Sequence, residues 1–186
     1  MTRTYLRNSL PAVLALGVCA THAFGQFAAT GTTGIAVAVA AESAINVTTA
    51  TTSLTEASGA GIFGAPYTGT TNFSYKVRTT RSGGAGSITL KITSDFATGG
   101  PSVASPPTGD ALTYSCSAAA SATACTGPVT ASTSASTSVA TFATDAHSAA
   151  GAGSSDDGTV TWTLPNDPLY KTGAYTATAT FTVSAT

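Results

Sequence analysis

From Tyr175 to Thr186 the chain alternates without a break. Tyr175, Ala177, Ala179, Phe181, Val183 and Ala185 fall in one phase, and Thr or Ser occupies every position between them. Successive side chains of an extended chain point to opposite faces, so a period of two requires a strand with one covered face and one wet face. No helix can sort these residues onto a single stripe. The segment predicts one long strand, about 40 Å at ~3.3 Å per residue, against a usual length of about five or six residues. Tyr175, Phe181 and Val183 are the large members of its core face.

The same period recurs upstream. Phe73, Tyr75 and Val77 alternate with Ser74, Lys76 and Arg78, and Ile88, Leu90 and Ile92 alternate with Thr89 and Lys91. The Gly-rich run 81–86 between them tolerates positive φ, so the pair reads as a hairpin. Leu112, Tyr114 and Cys116 share a phase, as do Val160, Trp162 and Leu164. Near the start, Ile35, Val37 and Val39 lead to Ile45 and Val47 across an interruption at 41–43, giving one kinked strand or two short ones. Residues 118–138 are Ala/Ser/Thr of low complexity, and 139–143 can form a short strand. Helix formers are scarce and 37 residues are Thr, which favours strands. The expected architecture is all-β: an immunoglobulin-like β-sandwich of seven to nine antiparallel strands.

The first residues predict export. Arg3 and Arg7 precede the apolar stretch 10–18, which is too short to span a bilayer, and Ala23-Phe-Gly25 is a small-x-small cleavage site. Residues 1–25 are therefore expected to be a signal peptide and 26–186 a single domain, periplasmic, cell-surface or extracellular. Cys19 follows Val18, which is not the small residue that a lipobox requires. No second apolar run is long enough for a membrane helix. Without Arg3 and Arg7, five basic residues face eight acidic ones. That balance excludes electrostatic nucleic-acid binding, which needs clustered Lys and Arg. Cys116 and Cys125 are the cysteines left after cleavage, and in an exported chain they are expected to form a disulfide.

Chemistry-bearing patterns are sparse. Downstream of the predicted cleavage site His147 is the single His, in an Ala/Ser/Gly loop two residues from Asp145. No G-x-S-x-G elbow surrounds a serine. The expectation is no enzyme, no cofactor and no metal. Asp145, Asp156 and Asp157 offer hard oxygen ligands for calcium, but their spacing matches no ligand loop. Trp162 could stack on a sugar, but its phase with Val160 and Leu164 places it in the core.

The C-terminal passage from Gly173 to Thr186 resembles the end of bacterial fimbrial subunits, above all the spore-coat-U-like pilins of archaic chaperone–usher pili. In that group a glycine stands about fourteen residues from the C-terminus, where this chain has Gly173. Ala185 stands where such subunits usually carry an aromatic residue, and Cys116–Cys125 lies further along the chain than their usual disulfide. The resemblance implies an incomplete immunoglobulin-like fold and an N-terminal strand donated to a neighbouring subunit. Residues 27–40, with Ile35, Val37 and Val39, would be that assembly strand. The implied partners are copies of the chain or related subunits, and a periplasmic chaperone. Trp162-Thr-Leu164 gives a weaker resemblance to WxL surface domains. The expected function is a structural or adhesive surface component. The alternative is a self-complete β-sandwich that binds carbohydrate or cell-wall polymer.

Overall fold

In a computed structural model of the chain, residues 32–58, 61–149, 151 and 155–186 are described. The predicted signal peptide, with Cys19, and residues 27–31 of the predicted assembly strand lie outside them. Residues 38–186 form one compact unit, and 32–37 belong to a separate N-terminal one.

The chain is an all-β sandwich with no helix among the described residues. Its strands are β1 (Glu42–Val47), β2 (Thr55–Glu56), β3 (Tyr67–Arg78), β4 (Gly86–Ser94), β5 (Thr113–Ala118), β6 (Thr123–Ala124), β7 (Val129–Thr130), β8 (Thr137–Phe142), β9 (Asp156–Leu164) and β10 (Thr178–Ala185). One sheet has the order β1-β3-β9-β5-β7, with β2 also paired to β3. The second has the order β10-β4-β8-β6. All pairings are antiparallel.

The alternation assigns the faces of the central strands correctly. Phe73, Tyr75 and Val77 of β3, Tyr114 of β5, and Val160, Trp162 and Leu164 of β9 are buried. They face Ile88, Leu90 and Ile92 of β4 and Val139, Ala140 and Phe142 of β8. Tyr75 meets Phe142 at 5.6 Å between ring centroids. The Tyr114 hydroxyl reaches across the sandwich to the Ser138 carbonyl at 2.9 Å. Gly158 sits opposite Phe73 in the ladder, and a Cβ there would run into the Phe73 ring.

The expected hairpin is corrected. β3 and β4 belong to different sheets, and residues 79–85 carry the chain from one to the other. A two-residue turn forces neighbouring strands to pair, whereas seven residues easily span the ~10 Å between packed sheets. The crossing is tied at both sides. The Thr80 amide donates to the Thr186 carbonyl at 2.9 Å, and the Thr79 hydroxyl to the Ala143 carbonyl at 2.7 Å.

The low-complexity stretch holds β6 and β7, which its composition did not reveal. Here the chain switches sheets at each step, from β5 to β6 to β7 to β8. The disulfide Cys116–Cys125 joins β5 to the residue after β6, with Cα atoms 5.4 Å apart. The Cys125 amide donates to Val139 of β8 at 2.9 Å, so the bond staples one sheet to the other. The β5/β6/β7 edge is thereby closed covalently and by main chain.

Two stability outcomes follow. Gly158→Ala should lower unfolding free energy by about 1–3 kcal/mol, the usual cost of overpacking, in urea titration. Replacing both Cys116 and Cys125 by Ser should cost about 2–3 kcal/mol for so short a loop, and adding reductant to the unaltered protein should reproduce that loss.

Candidate assembly groove

The opposite edge is built differently. β1 ends the first sheet and β10 ends the second, and the two are not hydrogen-bonded to one another. Each strand therefore keeps one row of peptide groups unpaired by the ladder. Their inward side chains are incompletely covered. Ile45 of β1 and Ala179, Phe181 and Val183 of β10 are half-buried, and Val47 is 38% exposed. Inward residues of β4 and β9, by contrast, are at most 5% exposed.

Beyond the end of β1 and at the start of β10 lies a groove of about 850 Å³. One wall is Val47 and residues 49–54, and the other is residues 172–179 with Phe181. Its floor is the sandwich core itself: Ile92, Phe96, Leu112, Trp162 and Leu164. The first wall is held to β3 beyond the end of β1. Thr48 and Thr49 donate their amides to the Asn72 carbonyl at 3.0 and 3.2 Å, and the Asn72 amide donates to Thr49 Oγ1 at 2.9 Å. A polar relay continues inward, with Thr52 and Thr71 hydroxyls 2.5 Å apart and Trp162 Nε1 donating to Thr71 at 2.8 Å. Trp162 is thus a core residue with its one polar atom satisfied, packed 5.4 Å from Tyr114.

The second wall corrects the reading of the terminal segment. The strand begins at Thr178, not Tyr175. The Tyr175 ring lies against Gly100, its hydroxyl donates to the Lys171 carbonyl at 2.8 Å, and the side chain lines the groove. Alternation persists through 175–177, but β4 has ended at Ser94 and offers no partner there. Phe181 keeps its inward phase, 5.7 Å from Phe73. Residues 32–41 form no strand, and the kinked-strand expectation holds only for Glu42–Val47. Ile35, Val37 and Val39 are 94%, 84% and 64% exposed. Arg78 fixes the point where this segment joins β1, donating to the Ala40 carbonyl and to the Glu42 carboxylate, both at 2.8 Å.

Around the groove the loops are ordered by single side chains. The Asp95 carboxylate accepts the amides of Phe96, Val103 and Ala104 and the Ser102 hydroxyl at 2.8–3.1 Å, which positions Phe96 in the floor. Burial alone would raise its pKa, but these four donors outweigh it and hold it below the usual carboxylate value. The Asp110 carboxyl is raised and that of Asp167 lowered by the hydrogen bond between them. Beside them the Tyr170 hydroxyl is buried without a hydrogen-bond partner among the described residues. Burial first, then the charges of Asp110 and Asp167, push it up to about 12. Tyr75 and Tyr114 are also raised, chiefly by burial.

The polar clusters weighed from sequence lie elsewhere. His147 is exposed and its Nδ1 meets the Asp145 carbonyl at 2.9 Å. Ser121 hydrogen-bonds the Asp156 carboxylate and, at 3.1 Å, the Tyr75 hydroxyl. Among the described residues no group of three His, Cys, Asp or Glu side chains is placed to hold a metal. No helix there is long and apolar enough to cross a membrane. The groove walls at 49–54 and the contributions of Phe63 and Tyr170 were not apparent in the sequence, because irregular segments carry no period.

Comparison with protein-family models, with curated proteins and with solved structures finds no match to this chain.

The tyrosines and Asp95 set opposite limits on stability. The tyrosine contribution is fully present below about pH 10 and is lost as pH rises through the raised values, about 12 for Tyr170. The Asp95 contribution is present above about pH 4 and is lost as pH falls through its lowered value. Thermal melts across pH should show a plateau bounded by these limbs. Tyr170→Phe should raise stability by about 1 kcal/mol by removing an unsatisfied hydroxyl, and should soften the alkaline limb.

Proposed function

We propose that this protein is an exported, non-enzymatic structural subunit that assembles by β-strand addition. In this reading the groove walled by residues 49–54 and 172–179 receives the N-terminal segment of a neighbouring copy. The observation that carries it is the open edge. Two edge strands each have a ladder partner on one side only, and core residues are reachable through the groove at their ends.

The candidate donor fits in length and pattern. Residues 32–41 would extend about 33 Å, and the eight residues of β10 about 27 Å. Ile35, Val37 and Val39 fall on one face, which matches a groove lined by Val47 and Leu54 on one side and Ala177, Ala179 and Phe181 on the other. Burying three such side chains contributes about 1.5–3 kcal/mol each, and the added backbone ladder fixes register. Before assembly the open edge needs a cover, and a periplasmic chaperone is the partner that the fimbrial resemblance implies. The second reading, a carbohydrate- or cell-wall-binding sandwich, draws on Tyr67, Asn166, Asp167 and Tyr175 in the same groove.

The test is assembly of the full chain, followed by light scattering and electron microscopy. Polymers should form, and deleting residues 27–40 or substituting Val37→Asp should abolish them while the monomer keeps its melting transition. A protein that remains monomeric at high concentration and is absent from surface filaments overturns the reading. Glycan binding retained by the deletion variant would favour the second.

A further inference from the structure

At one end of the groove the turn Gly61-Ile-Phe-Gly64 closes with the Gly64 amide donating to the Gly61 carbonyl at 3.3 Å. Phe63 occupies its left-handed position, with φ of 54°. Bulky side chains disfavour that backbone, and glycine or asparagine is the usual occupant. The chain uses glycine on both sides and places Phe at the strained position. Folding within the monomer does not offset the strain, because Phe63 is 54% exposed and Ile62 is 90% exposed. The Phe63 side chain nevertheless lines the groove. A strained backbone that presents a half-exposed aromatic side chain to an unfilled apolar groove is a feature whose benefit lies in the filled state.

We propose that Phe63 is a contact residue for the strand that enters the groove, covering the apolar side chains of residues 32–41 of a second copy. The inference rests on the strand-addition reading and adds to it a residue outside both edge strands. It carries a signature that a structural residue lacks: removing the ring weakens capture without weakening the free fold.

The experiment uses the full chain carrying Ile35→Asp and Val37→Asp, so that its own segment does not compete, as acceptor for a fluorescent peptide of residues 32–41. Phe63→Gly and Phe63→Asn both suit the left-handed backbone and remove the ring. Each should weaken peptide binding about ten-fold, as loss of a half-buried aromatic contact implies, with the acceptor's melting temperature unchanged or raised. Phe63→Leu, which keeps apolar bulk, should retain most of the affinity. If Phe63→Gly and Phe63→Asn bind the peptide within two-fold of the parent, the inference is overturned and strand addition stands. It is equally overturned if affinity and melting temperature fall together. If the parent acceptor binds no peptide, strand addition itself fails, and the role of Phe63 with it.

Discussion

The fold depends on where the chain has placed its few large side chains. Phe73, Tyr75, Ile88, Leu90, Val139, Val160 and Trp162 come from β3, β4, β8 and β9, the inner strands of the two sheets. Each buried aliphatic or aromatic side chain contributes about 1.5–3 kcal/mol, so this block supplies the main favourable term. The β1/β10 edge carries Ile45, Phe181 and Val183, whereas the β5/β6/β7 edge is largely Ala, Ser, Thr and Cys, which bury little area. An edge composed of such residues needs something other than packing to hold it. At β5/β6/β7 that is the Cys116–Cys125 bond, together with repeated exchange of the chain between sheets. At β1/β10 no disulfide joins the sheets among the described residues, and the cleft opens beyond the end of β1, between residues 49–54 and 172–179.

Charge placement strengthens the contrast. Exposed strand edges are commonly guarded by lysines, bulges or prolines that discourage pairing. β10 has no charged residue and no proline, its outward side chains are Thr and Ser, and its one irregularity is a register shift at Thr178/Ala179, at its start. β1 has one charged residue, Glu42, which pairs with Arg78 and so points toward β3. Exposed ion pairs of this kind stabilise by at most about 1 kcal/mol. Its evident consequence is geometric: with the Arg78–Ala40 bond it fixes the point from which residues 32–39 leave the sheet. An edge this bare is a hazard in a protein meant to stay alone and an asset in one meant to add a strand.

The inner strands were legible because alternation reports burial of one face, and Val160, Trp162 and Leu164 or Ile88, Leu90 and Ile92 can satisfy it in one phase only. Alternation does not report which sheet a strand joins. The hairpin misassignment of β3 and β4 came from that gap, since a glycine-rich link can turn within a sheet or cross between two. β6 and β7 are two residues each, too short for any period to register. Tyr175 shows the converse failure: the pattern continues past the point where β4 can pair. The export segment and the donor strand were read from residues whose meaning lies outside the sandwich, so the fold of residues 38–186 bears on them only through the space it leaves.

The lining of that space is ordered by a few specific polar contacts. The Trp162 indole nitrogen is satisfied through Thr71 and Thr52, and the Asp95 carboxylate accepts four hydrogen bonds that position Phe96, while the Tyr170 hydroxyl in the lining has no partner among the described residues. The wall at 49–54 approaches β3 so closely that Gly69 leaves no room for a side chain beneath Ser53. Such local order around an open cleft costs conformational entropy that the empty groove does not return. Under the proposed strand addition, a segment supplying three apolar side chains and a row of peptide groups would return both terms at once.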